Sequence, residues 1–169
     1  MLRPAIVLAL LFGAAPATGA TPVQPPAAHA AAADSDMTVA PDFDSGDPEI
    51  RALVAGINRE RHTAGCVPLA WDPALAREAR RYSRDMAERG FFEHVSPAGA
   101  NLLDRLRAAN IKFRAAAENL AAGPRTADQV LTTWMGNRSD RGNLLNKQFT
   151  RIGVGRSGGI WTLMLVRPR

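Results

Sequence analysis

Three residues combine a reactive type with surroundings that could use it: His94, Glu118 and Asp140. His94 stands in FFEHVSP, after two phenylalanines and just past a strongly marked helix end, where loops carry function. A packed loop histidine is the plainer reading of it. Glu118 stands in AAAENLAA, among small and apolar neighbours that imply burial. A buried, unpaired carboxylate is costly, so Glu118 needs a partner. Pairing it with His94 would satisfy both groups and hold the imidazole in one orientation. Asp140 lies in NRSDRGNLLN, flanked by Arg138 and Arg141. That cluster is either a solvated charged connector or part of a site.

Other motifs point away from known catalytic chemistry. Gly155-Arg156-Ser157-Gly158-Gly159 has the G-x-S-x-G form, but a nucleophile elbow needs a strand, a sharp turn and then a helix. Here a second β-rich run follows and no histidine lies downstream, so Ser157 is expected in a hairpin turn. Asn137-Arg138-Ser139 is a glycosylation sequon, a signal usually silent in a chain of bacterial composition. No H-E-x-x-H spacing and no phosphate-cradling glycine loop occurs. Cys66 is the only cysteine, which excludes an internal disulfide; it reads as a small buried hydrophobe rather than a nucleophile.

The elements that must position these residues are legible. Asp47-Pro48-Glu49 starts a helix as N-cap, first-turn proline and dipole-complementing acid, and Ile50, Leu53, Val54 and Ile57 form its apolar stripe up to Gly65. His62 falls near its end, on a polar face. Asp72-Pro73 opens a second helix with Leu75, Ala79, Tyr82 and Met86 inward. Arg77, Glu78, Arg80, Arg81, Arg84, Asp85 and Glu88 are expected outward, with Gly90 as the stop. A shorter helix covers NLLDRLRAAN, and KFRAAAENLAAG is ambiguous between strand and loop. Thr126 and Gln129 form a capping box ahead of Val130, Leu131 and Trp134. FTRIGVGRS and GIWTLMLVRPR read as two strands of a hairpin. Helices followed by paired strands imply an α+β or layered domain with an antiparallel sheet.

Composition bounds the rest. Residues 1–20 have the charged start, apolar run and small-residue end of a secretory signal peptide, an uncleaved N-terminal anchor being the alternative. Residues 21–46 are dominated by Ala, Pro, Thr and Asp and read as a disordered tether; residues 47–169 read as one domain. Residues 51–169 carry twenty bases against ten acids, a formal +10, and all but Lys112 and Lys147 of those bases are arginine. Such a surface favours anionic envelope polymer or lipid, or is simply solvated. Aromatics do not alternate with the arginines, so nucleic acid is not an expected ligand.

Taken in order, Leu69-Ala70-Trp71-Asp72-Pro73, Phe92-Glu93-His94-Val95-Ser96-Pro97, Glu118-Asn119-Leu120, Trp134-Met135, Arg141-Gly142-Asn143-Leu144-Leu145 and Phe149-Thr150-Arg151-Ile152-Gly153-Val154-Gly155 resemble the bacterial branch of the CAP superfamily. That superfamily comprises cysteine-rich secretory proteins, antigen 5 and pathogenesis-related proteins, and its domain is also called SCP. The resemblance implies an α+β fold, a three-layer α-β-α sandwich around a central antiparallel sheet, with an open cleft. In the family the cleft is lined by the histidine of H-x-S-P, the glutamate of E-N-[LI], often a further glutamate, and a second histidine. Members are described as binding divalent metals, sterols or lipids, and as disputed proteases. His94 and Glu118 match the first two positions, Asn137 falls near the further acid, and Asp140 takes the place of the second histidine.

That replacement changes the chemistry. One imidazole and two carboxylates suit calcium or magnesium better than zinc. Two carboxylates at about 4 Å repel by roughly 4 kcal/mol at an effective dielectric near 20, so something must offset them. Arg138 and Arg141 are expected to do so by pairing with Asp140, leaving a weakened or absent zinc site at His94 and Glu118. The expectation is therefore a monomeric, secreted or periplasmic binding module, non-enzymatic, with no required cofactor and a cleft for a lipid or other apolar ligand. A metal-dependent hydrolase using His94 and Glu118, and a purely electrostatic binder, are the alternatives.

Overall fold

The computed structural model describes residues 46–169. The readings of residues 1–20 as a leader and of 21–46 as a tether lie outside the described residues, apart from Gly46. The elements run α1 (Pro48–Thr63), β1 (Ala70–Trp71), α2 (Pro73–Arg89), α3 (Leu102–Ala108), β2 (Ala115–Ala122), α4 (Ala127–Gly136), α5 (Arg138–Leu144), β3 (Arg151–Ser157) and β4 (Ile160–Arg167). Both leading helices begin where the sequence signals place them. The Asp47 side chain accepts from Glu49 N, and that of Asp72 accepts from Ala74 N and Leu75 N. Gly90 ends α2 at φ 68°, a left-handed conformation that costs glycine little.

The strands order as β1-β3-β4-β2. Three of them are antiparallel, as expected, while the two-residue β1 joins β3 in parallel, so the sheet is mixed. The ambiguous AAAENLAA segment is a full strand, paired along its length with β4. Small alanines carry weak β-propensity, and the tertiary pairing decides. Ser157 ends β3 and Ile160 starts β4, with Gly158 and Gly159 at φ 56° and 79° between them. Two consecutive positive φ values are the hairpin requirement, and they retire Ser157 as an elbow nucleophile.

Alternation along β4 builds the three layers. Leu163 and Leu165 pack with Leu53, Ile57, Val130 and Trp134 of α1 and α4. Met164 and Val166 pack on the other face with Leu75, Tyr82 and Met86 of α2 and Leu106 of α3. The helix α2 lies very close to the sheet because β3 presents glycine to it. A Cβ at Gly153 would sit 2.3 Å from Leu75 Cβ, and one at Gly155 would sit 2.1 Å from Arg80 N. Ser83 uses that closeness, donating to Gly155 O at 3.1 Å and contacting Thr162 Oγ1 at 2.9 Å.

One expectation about charge needs correction, and one open reading is narrowed. Glu78, assigned to the outer face of α2, is 5% exposed, and Arg81 folds over it with contacts of 2.8 and 2.6 Å. NRSDRGNLLN is not a connector but a capped helix: the Asn137 side chain accepts from Ser139 N and Asp140 N and starts α5. Asn137 is both the C-cap of α4 and the N-cap of α5, so a single residue joins the two helices.

Candidate functional site

The site forms at the free edge of β2, where two layers of the sandwich meet. In the antiparallel register Glu118 stands opposite Met164 and Asn119 opposite Leu163, so their side chains point to opposite faces of the sheet. Glu118 therefore enters the α2/α3 layer. Asn119, fully buried, enters the α4/α5 layer, where it accepts from Asn143 Nδ2 at 2.8 Å and donates to Asp140 O at 3.1 Å. Asn143 also reaches Glu118 O at 3.5 Å, and Trp134 Nε1 donates to Leu120 O at 3.1 Å. These side chains cover carbonyls of an edge strand that would otherwise invite pairing. They also dock α5 so that Asp140 comes up beside His94.

The expected His94–Glu118 pair forms: Nδ1 lies 2.9 Å from Oε1. The second carboxylate oxygen is held by a residue that the sequence did not single out. Arg105, on α3, places Nη2 2.5 Å from Glu118 Oε2, and both side chains are 3% exposed. The same guanidinium donates to His94 O at 3.0 Å and Ala100 O at 3.2 Å and lies 3.5 Å from the centroid of the Tyr82 ring. Tyr82 in turn donates to Glu93 O at 2.7 Å. Arg105 thus fixes the carboxylate, both ends of the histidine loop and the aromatic beneath it. Its Nε, buried against the ring face, finds no acceptor among the described residues.

His94 itself is 63% exposed at its side chain. Its pKa is raised above 6.5, first by the hydrogen bond to Glu118 and then by the charges of Glu118 and Asp140, against desolvation and Arg105. With Nδ1 turned to the carboxylate, Nε2 faces outward, a donor when the ring is charged and an acceptor when it is neutral. Asp140 has a raised pKa because burial penalises its charge, with His94 acting in the opposite direction.

The arginines do not meet Asp140. No ion pair or hydrogen bond joins its carboxylate to Arg138 or Arg141 among the described residues, contrary to expectation. The cause is the helix. In a connector all three side chains could converge, whereas on α5 residues 138 and 141 share one face and 140 points away from it. Asn137, expected in the cleft, is exposed, and its side-chain oxygen caps α5. No hydroxyl or thiol bonds to His94, and no three His, Cys, Asp or Glu side chains are grouped to hold a metal, among the described residues. Cys66 is buried as expected, its thiol donating to Leu145 O at 3.3 Å.

Comparison with known proteins agrees with this architecture. The chain is 39% identical over 118 residues to the Bacillus subtilis protein YkwD, covering 69% of this chain and 46% of that protein. It is 33% identical over 102 residues to YlbC of the same organism, described as a membrane protein, covering 60% of this chain and 29% of that one. It spans less than half the length of these curated relatives. Among solved structures, an extracellular SCP-domain protein of Bacillus anthracis superposes with a TM-score of 0.67 at 34% identity, over 69% of this chain and 39% of that one. An outer surface protein of Borrelia burgdorferi superposes at 0.66 with 20% identity, over 72% and 93% of the respective chains, a likeness of fold alone. Residues 54–159 match the model of the cysteine-rich secretory protein family, CAP, and the chain belongs to that family.

Proposed function

We propose that the domain is an exported, non-enzymatic binding module whose cleft lies at the β2 edge and takes an apolar or amphipathic ligand. The observation that carries this reading is the double occupancy of Glu118. One oxygen serves His94 and the other Arg105, so the carboxylate is a clamp for the histidine loop rather than an available base or cation ligand. A divalent cation at Glu118 would have to share its carboxylate with a buried guanidinium, and the residues present do not fit such a centre. His94 Nε2 and the Asp140 carboxylate, which has no ion pair or hydrogen bond among the described residues, remain as the polar pair facing a ligand, while Phe92 and Val95 on the same loop are 44% and 49% exposed. Apolar walls with few oriented polar groups are what a small amphipathic molecule requires. Export is supported by the leader-like residues 1–20 and by the extracellular description of the Bacillus anthracis relative.

Calorimetry with Zn²⁺, Ca²⁺ and Mg²⁺, combined with fluorescence titration of the neutral probe Nile red, tests the reading. Metal binding no tighter than millimolar is expected, with Nile red enhancement that falls in Phe92→Ala and Val95→Ala. A micromolar metal site, or a metal-dependent hydrolytic rate lost in His94→Ala, overturns it in favour of the metallohydrolase.

A further inference from the structure

The α5 face that turns away from the cleft carries a second feature. Arg138 and Arg141, one helical turn apart, line a groove of about 470 Å³ with Met135, Gly136, Gly142 and Leu145. Neither guanidinium has an ion pair or hydrogen bond among the described residues, and no acidic side chain lines the groove. Two like charges at this spacing repel, so the pair is placed at a cost that an anion would remove. The two glycines keep the groove open: a Cβ at Gly136 or Gly142 would meet no atom within 4 Å, and neither has a positive φ. Gly142 inside a helix costs roughly 1 kcal/mol against alanine, with no packing or backbone reason for it here. A smaller basic pocket at Arg107, Lys112 and Arg169 contrasts with it, since Arg107 is held by Asp104 and Arg169 by Phe113 O.

We propose that this α4/α5 groove binds a phosphate ester that carries an apolar substituent. Each guanidinium presents a planar fork that matches a pair of anionic oxygens. A carboxylate fills one fork, whereas a phosphate group offers enough oxygens to engage both. Met135 and Leu145, each half-buried, give the attached chain an apolar wall. The groove is separate from the His94 cleft and lies on the opposite side of α5, so its occupancy does not depend on the function proposed for that cleft.

Two probes separate the sources of this chemistry: monomeric dihexanoyl phosphatidic acid in solution and phosphatidylglycerol vesicles, with phosphatidylcholine vesicles as the neutral reference. The variants are Arg138→Gln/Arg141→Gln and, as an equal loss of charge on the outer face of α2, Arg77→Gln/Arg80→Gln. Each arginine near an anionic group is worth roughly fivefold in affinity, so the α5 pair is expected to lose about 25-fold on at least one anionic probe. The α2 pair is expected to lose less than about threefold. Loss on the soluble probe assigns a free phosphate ester, and loss on vesicles alone assigns a bilayer headgroup. Gly142→Leu, which fills the groove and keeps both charges, should also weaken binding. Equal losses in the two double variants, equal binding to phosphatidylcholine, or no binding to either anionic probe overturns the proposal.

Discussion

Replacing Arg105 with methionine is the most demanding test of the β2-edge site. The substitution keeps much of the side-chain volume and removes the guanidinium from a pair in which both members are 3% exposed. Coulomb attraction does not set the cost. What does is the Glu118 carboxylate left in the α2/α3 layer with only His94 beside it, a situation worth about 3–5 kcal/mol. The bonds to His94 O and Ala100 O are lost as well, so the loop that carries the histidine loosens. For a domain of this size, with roughly 5–15 kcal/mol in all, that is a large fraction. Glu118→Gln alone should be costly in the mirror sense, stranding the guanidinium. The double variant strands neither charge and should cost less than the sum, with a coupling of at least about 2 kcal/mol. Urea unfolding of the four proteins at pH 7 gives that coupling. NMR titration of His94 supplies a readout that simple loosening would not produce: its pKa should rise in Arg105→Met, because Arg105 is one of the influences holding it down. Additive costs within about 0.5 kcal/mol, or a His94 pKa that falls, would refute the assignment.

Other expectations follow from the same contacts. Arg61 is fully buried and donates to Val67 O, Leu144 O, Asn146 O and Phe149 O at 3.0, 2.6, 3.1 and 3.1 Å. Arg61→Met orphans those carbonyls and should cost about 3 kcal/mol or more in denaturant unfolding. Gly155→Ala, whose Cβ would meet backbone at 2.1 Å, should lose at least about 2 kcal/mol, while Gly142→Ala in open space should gain up to about 1 kcal/mol. Asp140→Asn should lower the His94 pKa, measured by NMR, because the Asp140 charge helps to raise it. The folded His94 pKa lies above its unfolded 6.5, so its contribution is fully present below pH 6.5 and is lost as pH rises through the folded value. With a 63% exposed side chain that amplitude stays under about 1 kcal/mol, and His94→Ala should flatten it in unfolding measured against pH.

Much of this was legible in the residues because local signals and tertiary structure agree. Asp47-Pro48 and Asp72-Pro73 announce helices that need no distant contact to be recognised, and Gly158-Gly159 announces its turn. The His94–Glu118 pair followed from one argument, that a carboxylate among alanines must find a partner. Arg105 escaped because it looks like any helix-surface base in NLLDRLRAAN; only the register that sends Glu118 toward α3 reveals that it points inward. Glu78 escaped for a similar reason, since a glutamate in an arginine-rich helix reads as solvated until the sheet lies against it. The helix α5 was illegible because Asn137, Ser139, Asp140, Gly142 and Asn143 all have weak helix propensity, and the buried Asn119–Asn143 contact is a tertiary fact.

That last point decides what Asp140 does. As part of a flexible connector it could have been neutralised by either neighbouring arginine. As the third residue of a docked helix it is turned toward His94 while its neighbours are turned away. The same docking therefore produces two surfaces of opposite character. One has a carboxylate, half-buried and with no ion pair among the described residues, beside an imidazole whose basicity it raises. The other has two guanidiniums, with no ion pair among the described residues, over an open groove. A metallohydrolase needs its charges collected on the first surface around one cation. Instead, the buried Arg105 guanidinium already pairs with Glu118 there. The binding proposed at each face draws only on side chains already in place there: His94 and Asp140 on the one, Arg138 and Arg141 on the other.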